Sequence, residues 1–443
     1  MPVSIAICGA GPAGLTLARL LQVAELDISV SVFERDTSAK SRQDQGGTLD
    51  LHPDTGLAAL RQAGLFEIAS SRLRHDGEEM VIADKNATEF IHMKEQPKWA
   101  DNKFARPEID REDLKDVLLE SVEQSCIQWG KTLESVDESS RVLRFRDGST
   151  AGPFDLIVGA DGAWSKVRPV LSDARPQYAG LCGFAGSIPN PNKDFPDISK
   201  HVGRGLYMAF ADGQSLTAQR LGNESLNVGT WHTIEENHAA DLAATYGADE
   251  QKLKEKILEH YQGWAPELKR WIEAGSDFTT RNLYELPVGH SWEHKRGFTL
   301  IGDAASLMTP FAGEGVNKAM NDSLVLCNAI TDALQQNSAG DGANASDGDR
   351  LDMAVQEYET EMFPRAKFWQ EETMKNKTLM FSDGGAPEFL AEMSLVVFRE
   401  IGIDLSKGLW FLRLPIRSCA LWIARAIGRV GSWRRAFREW YRK

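Results

Sequence analysis

The stretch VSIAICGAGPAGLTLARLLQVAELDISVSVFER, residues 3–35, decides the fold. Val3–Cys8 is a short apolar run with β-branched residues, the pattern of a buried parallel strand. Gly9, Gly11 and Gly14 punctuate the turn after it, Leu15–Val23 continues with helical periodicity, and Ile28–Phe33 is a second strand ending at Glu34 and Arg35. Strand, glycine turn, helix and strand make a βαβ unit, which is parallel and right-handed. In such a turn the first glycine permits the tight bend, the second lets a pyrophosphate approach the backbone, and the third lets helix and strand pack closely. Glu34 falls about 20 residues beyond Gly14, where a carboxylate for a ribose hydroxyl is expected. A glycine turn without a ligand has no use for that carboxylate.

Two later segments repeat the theme. DLIVGADGAWSKVR, residues 155–168, is a buried strand ending in Asp161 and Gly162. FTLIGDAASLMTPFAGEGVN, residues 298–317, is an apolar run ending in Gly302 and Asp303, then a loop of small residues, then a helix predicted to begin near Gly315. Each carboxylate is expected on the carboxyl edge of the sheet, where ligands bind in open α/β folds. Helix N–H groups near Gly315 suit a polar ring edge. Three segments so far apart in the chain, all fitted to one kind of ligand, imply a single large cofactor.

The rest of the chain reads as a division of labour. The sequence predicts a discontinuous nucleotide domain over 1–175 and 285–335, and a substrate domain of short β-like runs over 176–284. It predicts a polar, Gly-rich flexible loop over 336–350, C-terminal helices over 351–408 and a basic amphipathic tail over 409–443. Ile109–Asp113 opens a helix expected to run to about Gln124.

Hydrophobic content of 42% and charged content of 26% suit a soluble chain with a sizeable core. A net charge of −14 argues against general affinity for nucleic acid. Of 50 basic and 64 acidic residues, nine and one respectively fall in the tail. There Val430, Trp433, Phe437, Trp440 and Tyr441 form one stripe, and Arg434, Arg435, Arg438 and Arg442 another. Such a helix can dock on the acidic body or lie in a membrane interface. Leu409–Ile423, broken by Arg413, Pro415 and Arg417, is too short to span a bilayer. Five scattered cysteines without a Cys-x-x-Cys pair read as reduced thiols, and the opening residues leave no room for a signal peptide. A cytoplasmic protein is expected, with membrane association through 409–443 as the second reading.

Hydrolase and metal readings are poor. Ser165 and Ser306 lack a nucleophile elbow. His290 and His294 have i,i+4 spacing without the companion glutamate of H-E-x-x-H, so no metal site is expected. No second G-x-G-x-x-G is present, so a nicotinamide cofactor is expected to dock transiently across the first domain.

Together these segments resemble the FAD-dependent aromatic hydroxylases, the group A flavin monooxygenases, over most of the chain to about Met380. The resemblance implies a Rossmann-like α/β FAD-binding domain of the para-hydroxybenzoate hydroxylase type, with an interleaved β-sheet substrate domain and C-terminal helices. It implies that Gly9, Gly11, Gly14, Glu34 and Arg35 hold the ADP half of FAD. It assigns Asp161 and Gly162 to FAD and NADPH, Gly302 and Asp303 to the flavin-side ribose, and Arg111 to the phosphates or ribose. At GGTLDLH, residues 46–52, and again at 302–317, the chain is similar to the tetracycline-inactivating flavin monooxygenases. By that likeness Gly47, Asp50, Gly315 and Val316 lie near the flavin, and Arg42 contacts NADPH. Phe184, Leu206, Phe311 and Gly313 are implied on the substrate side. Phe184 and Leu206 are apolar where tetracycline-active members present polar groups.

The implied activity uses FAD, NADPH and O2 to hydroxylate an aromatic or polycyclic, phenol- or enol-like molecule through a C4a-hydroperoxyflavin. The alternatives are an FAD-dependent oxidase or dehydrogenase of a similar substrate, and a non-catalytic flavin- or polyketide-binding protein.

Overall fold

Runs of β-branched and aliphatic residues fully removed from water form a parallel sheet in the computed structural model. The structure describes residues 2–41, 47–93, 106–335 and 346–400, with Ser418, Cys419 and Trp422; within 346–400, side chains are described as far as 392. Arg42 and nearly all of the basic tail lie outside the described residues. Two units are distinguished: Met1–Leu73, Trp99–Ala179 and Tyr284–Met374 make one, and Arg74–Lys98, Gly180–Leu283 and Lys375–Lys443 the other.

In chain order the first unit contributes β1 (Val3–Cys8), α1 (Pro12–Val23), β2 (Ile28–Phe33), β3 (Thr48–Asp50), β4 (Glu108–Asp110), α2 (Arg111–Ser121), β5 (Ile127–Gln128), β6 (Leu156–Gly159), β7 (Phe298–Leu300), α3 (Gly315–Gln335) and, as far as Met374, α4 (Asp347–Met380). Its main sheet has the order β7-β6-β1-β2-β5, and every pairing in it is parallel. Cys8, Gly159 and Leu300 therefore end their strands on one edge, because β1 is in register with β6 and β6 with β7. Ile5, Ile7, Leu156, Ile157 and Val158 are fully buried, as a sheet covered on both faces requires. Helix α1 packs on α3, and both start at the carboxyl edge. The short β3 and β4 pair antiparallel, with Asp50 opposite Glu108.

Sequence periodicity placed α2 to about Gln124, but it ends at Ser121, where Val122 turns extended (φ −88°, ψ 140°). The β-branched Val122 is buried, so packing draws it out of the helix.

The second unit holds a seven-stranded sheet in the order Ser276–Glu285, Gln177–Ile188, Leu226–Thr233, Gln214–Arg220, Leu206–Ala211, Met80–Ala83 and Glu89–Met93. Residues 74–98 were read with the first domain, and the structure places them here. The reason is long-range: Met80–Ala83 pairs in parallel with Leu206–Ala211, whose other edge pairs antiparallel with Gln214–Arg220. Among the described residues, no helix is long and apolar enough to cross a membrane. The cysteines are free, and Cys8, Cys182 and Cys327 are buried.

Candidate active site

The glycine turn is built by contact rather than by flexibility alone. Gly9 has φ +112°, and a Cβ there would stand 2.3 Å from the Ala160 carbonyl oxygen, where β6 leaves the sheet. At Gly11 a Cβ would meet nothing within 4 Å, so this backbone faces open space at the start of α1. That space is a cavity of about 900 Å³ lined by the turn, Glu34, Arg35, Arg111, Lys131, Asp161 and Trp164.

Glu34 is buried at the end of β2. Its Oε2 accepts the Ala10 N–H at 2.8 Å and its Oε1 accepts the Asp36 N–H at 2.9 Å, which locks the carboxylate at the cavity wall. Asp161 accepts the Lys166 N–H at 2.7 Å through Oδ2, while its Oδ1 is buried without a hydrogen-bond partner. Burial pushes the Asp161 carboxyl above its usual range, against the opposing hydrogen bonds from Ser165 and Lys166. A buried orphan acceptor beside a cavity is what a ligand hydroxyl would satisfy.

The Gly302–Asp303 loop is anchored from beneath. Gly302 takes φ +62°, its N–H donates to Asp322 Oδ2 at 2.9 Å, and its carbonyl accepts from Lys318 Nζ at 3.2 Å. Lys318 and Asp322 side chains are completely buried on α3, and Arg365 from α4 donates to Asp322 Oδ1 at 2.9 Å. Asp303 opens the short helix that follows Gly302 and is exposed. Crowding there pushes its carboxyl up, while the nearby cations Lys318, Arg111 and Arg168 pull it back. Asp303 in turn opposes the burial that lowers the Arg111 guanidinium, so those two residues feel each other's charge.

Arg168, given no role by sequence reading, is buried and acts as a staple. Its Nε donates to the Ala304 carbonyl at 2.8 Å, and NH2 donates to Ala163 O at 2.8 Å and Asp303 O at 3.2 Å. It thus joins the Asp161–Gly162 and Gly302–Asp303 segments. The signal was an arginine closing a Gly-Asp-rich turn, which is easily read as a surface charge.

Asp50 and Gly47 lie beside the same loops. The Arg111 N–H donates to Gly47 O at 3.0 Å, and a Cβ on Gly313 would come 3.7 Å from Asp50 Oδ2. Asn317, in the first turn of α3, donates to Asp50 O and accepts the His52 N–H, each at 2.9 Å. His52 lies between carboxylates: Nε2 is 2.8 Å from Asp50 Oδ2, and Nδ1 is 3.0 Å from Glu314 Oε1. Burial alone would lower its pKa, but the two hydrogen bonds overcome that and raise it to about 9. Gly315 and Val316 open α3, with nothing within 4 Å of a Cβ at Gly315. Phe311 lies in the turn before them.

Phe184 and Leu206 belong to the second unit's sheet, and Phe184 is 2% exposed, held in the core through its strand pairing with Thr230. His290 bonds Ala305 O and Ser172 Oγ; His294 meets Glu359 and Asp352, carboxylates contributed from far along the chain by α4.

A family model described as FAD binding domain matches residues 2–360. The chain belongs to that family. It is an FAD-dependent monooxygenase of the aromatic hydroxylase type, and the turn, the open face at Gly11 and the orphan oxygen of Asp161 fit such a cofactor. This monooxygenase is 33% identical over 441 residues to Monooxygenase asqM of Emericella nidulans, covering 88% of this chain and 98% of that one. It is 27% identical over 345 residues to the 3-amino-4-hydroxybenzoate 2-monooxygenase of Streptomyces cremeus, covering 74% of this chain and 78% of that one. The tetracycline destructase Tet(51) has the same fold, with a TM-score of 0.61 at 17% identity over 95% of this chain and 97% of that one.

Proposed function

We propose that this monooxygenase uses NADPH and O2 to hydroxylate an aromatic or polycyclic, phenol- or enol-like small molecule. The observation carrying the reading is that β1, β6 and β7 deliver Gly9–Gly11, Asp161 and Gly302–Asp303 to one edge of a parallel sheet. Its aromatic substrate class is supported by the 3-amino-4-hydroxybenzoate 2-monooxygenase among its relatives.

In this reading the Gly9–Gly14 turn and the N-terminus of α1 hold the pyrophosphate, as a helix terminus does for anions. Glu34 and Asp303 accept from the two sugar ends, with Arg111 beside the phosphates. The N–H groups at Gly315 and Val316 face the flavin ring. When bound, FAD would supply the redox chemistry, the insertion of one atom of O2 at an electron-rich carbon with NADPH as the reductant and the other atom leaving as water. The chain contributes binding, orientation and exclusion of water.

Purified protein should be yellow and should consume NADPH faster when a suitable phenol or fused-ring polyketide is added, giving a product one oxygen heavier. A product two hydrogens lighter would instead make it a dehydrogenase or oxidase, and a lack of turnover with any nicotinamide would leave a binding protein. Asp303→Ala removes a charge-assisted hydrogen bond worth about 1.5–3 kcal/mol. FAD affinity, read by flavin fluorescence, should therefore fall by about tenfold or more; unchanged affinity would remove Asp303 from the site.

A further inference from the structure

We propose that His52 is a positioning residue of this active site, holding the Gly313–Gly315 turn through Glu314 and keeping a positive charge beneath it. The inference rests on the reading above that the flavin ring lies at that turn.

Both ring nitrogens of His52 face carboxylate oxygens, at 2.8 Å and 3.0 Å. Ionised carboxylates only accept, so both nitrogens must donate, and only the imidazolium does so. The side chains of His52 and Glu314 are 10% and 5% exposed, so neither charge is satisfied by bulk water. The charged groups facing the ring are Asp50 on β3 and Glu314 ahead of α3. Asn317 completes the clamp by bonding the backbone on both sides of the Asp50–His52 segment. Glu314, the residue before the open backbone at Gly315, is thereby tethered to His52.

The cluster carries two carboxylates and one imidazolium, a net charge of one negative. A neutral His52 would make it two negative. Hydride transfer from NADPH brings two electrons and one proton to the flavin, so the bound ring gains one negative charge. A cation held nearby favours that gain, and an uncompensated carboxylate opposes it. His52 therefore sets how readily the bound cofactor is reduced, without touching the reacting atoms.

The test compares the wild type with His52→Gln and Glu314→Gln, each saturated with FAD, by dye-coupled reductive titration at about pH 6, where a histidine beside a carboxylate stays protonated. H52Q should shift the reduction equilibrium about tenfold toward oxidised flavin, about 30 mV for a two-electron couple. E314Q removes a negative charge and should shift it the other way. Mere loosening of the turn would move both variants in one direction, and that outcome overturns the proposal. So does an unchanged potential in H52Q with FAD still bound. A second readout needs no cofactor: the His52 ring resonances of FAD-free protein should titrate near pH 9, and a midpoint below 7 would sink the imidazolium assignment. Failure of the wild type to bind FAD or consume NADPH would count against the functional reading instead.

Discussion

Gly9 shows how much one missing carbon decides. Replacing it with alanine forces a Cβ to 2.3 Å from the Ala160 oxygen at φ +112°, and both partners are backbone. Gly9→Ala should cost at least about 2 kcal/mol of stability, measured as a lowered Tm of the FAD-free protein. This glycine and Glu34 were singled out by spacing, because a short turn after a strand leaves few ways to place them, whereas Asp303 was singled out by its place at a strand end together with the family resemblance. Arg168, His52 and Glu314 were not. Arg168 bonds main-chain carbonyls, and His52 and Glu314 meet only because the segment after β3 reaches the turn before α3, and no local pattern encodes such meetings. Phe184 was read from a resemblance, and its burial reflects the small-residue neighbours, Gly183 and Gly186, that let strands close over it.

At the scale of elements, α3 does more than its sequence advertises. Lys318 and Asp322 have the i,i+4 spacing of an ordinary surface ion pair. Both are instead fully buried, and their polar atoms hold the Gly302 backbone. Asp322→Asn would leave Lys318 and Arg365 without their carboxylate inside the fold. Breaking a buried pair from one side costs about 3–5 kcal/mol, so a large fall in denaturant midpoint is expected, together with weaker FAD binding through the loosened Gly302 loop. A surface pair would yield less than about 1 kcal/mol, and that smaller loss would contradict the burial. The β1–α1–β2 element was legible because strand and helix periods alternate over a short span. The transfer of 74–98 to the other sheet was not, since its partner strand Leu206–Ala211 lies more than a hundred residues away.

At the scale of the whole molecule, one buried histidine of the second unit lowers stability in acid. His232 is buried against His260 and Tyr261, and burial, with the neighbouring histidines, lowers its pKa to about 3. An unfolded histidine titrates near 6.5, so the unfolded chain takes up the proton first as pH falls. The stability from keeping His232 neutral is complete above about 6.5 and drains away toward pH 3, on the order of 5 kcal/mol in all. Urea midpoints should therefore decline between pH 6.5 and 4, and His232→Phe should flatten that decline. His52 acts in the opposite sense, losing its contribution as pH rises through about 9.

The sheet order β7-β6-β1-β2-β5 also carries a consequence in time. The ribosome releases the N-terminal fingerprint early, but the strand that completes its edge, and the loop bearing Asp303, arrive only after residue 298. At about 5–20 residues per second, the glycine turn waits tens of seconds for its partners. From the synthesis of β6 until that of β7, the outer edge of β6 has no partner strand. On the proposed placement of FAD against Asp303, cofactor capture belongs to the late part of synthesis.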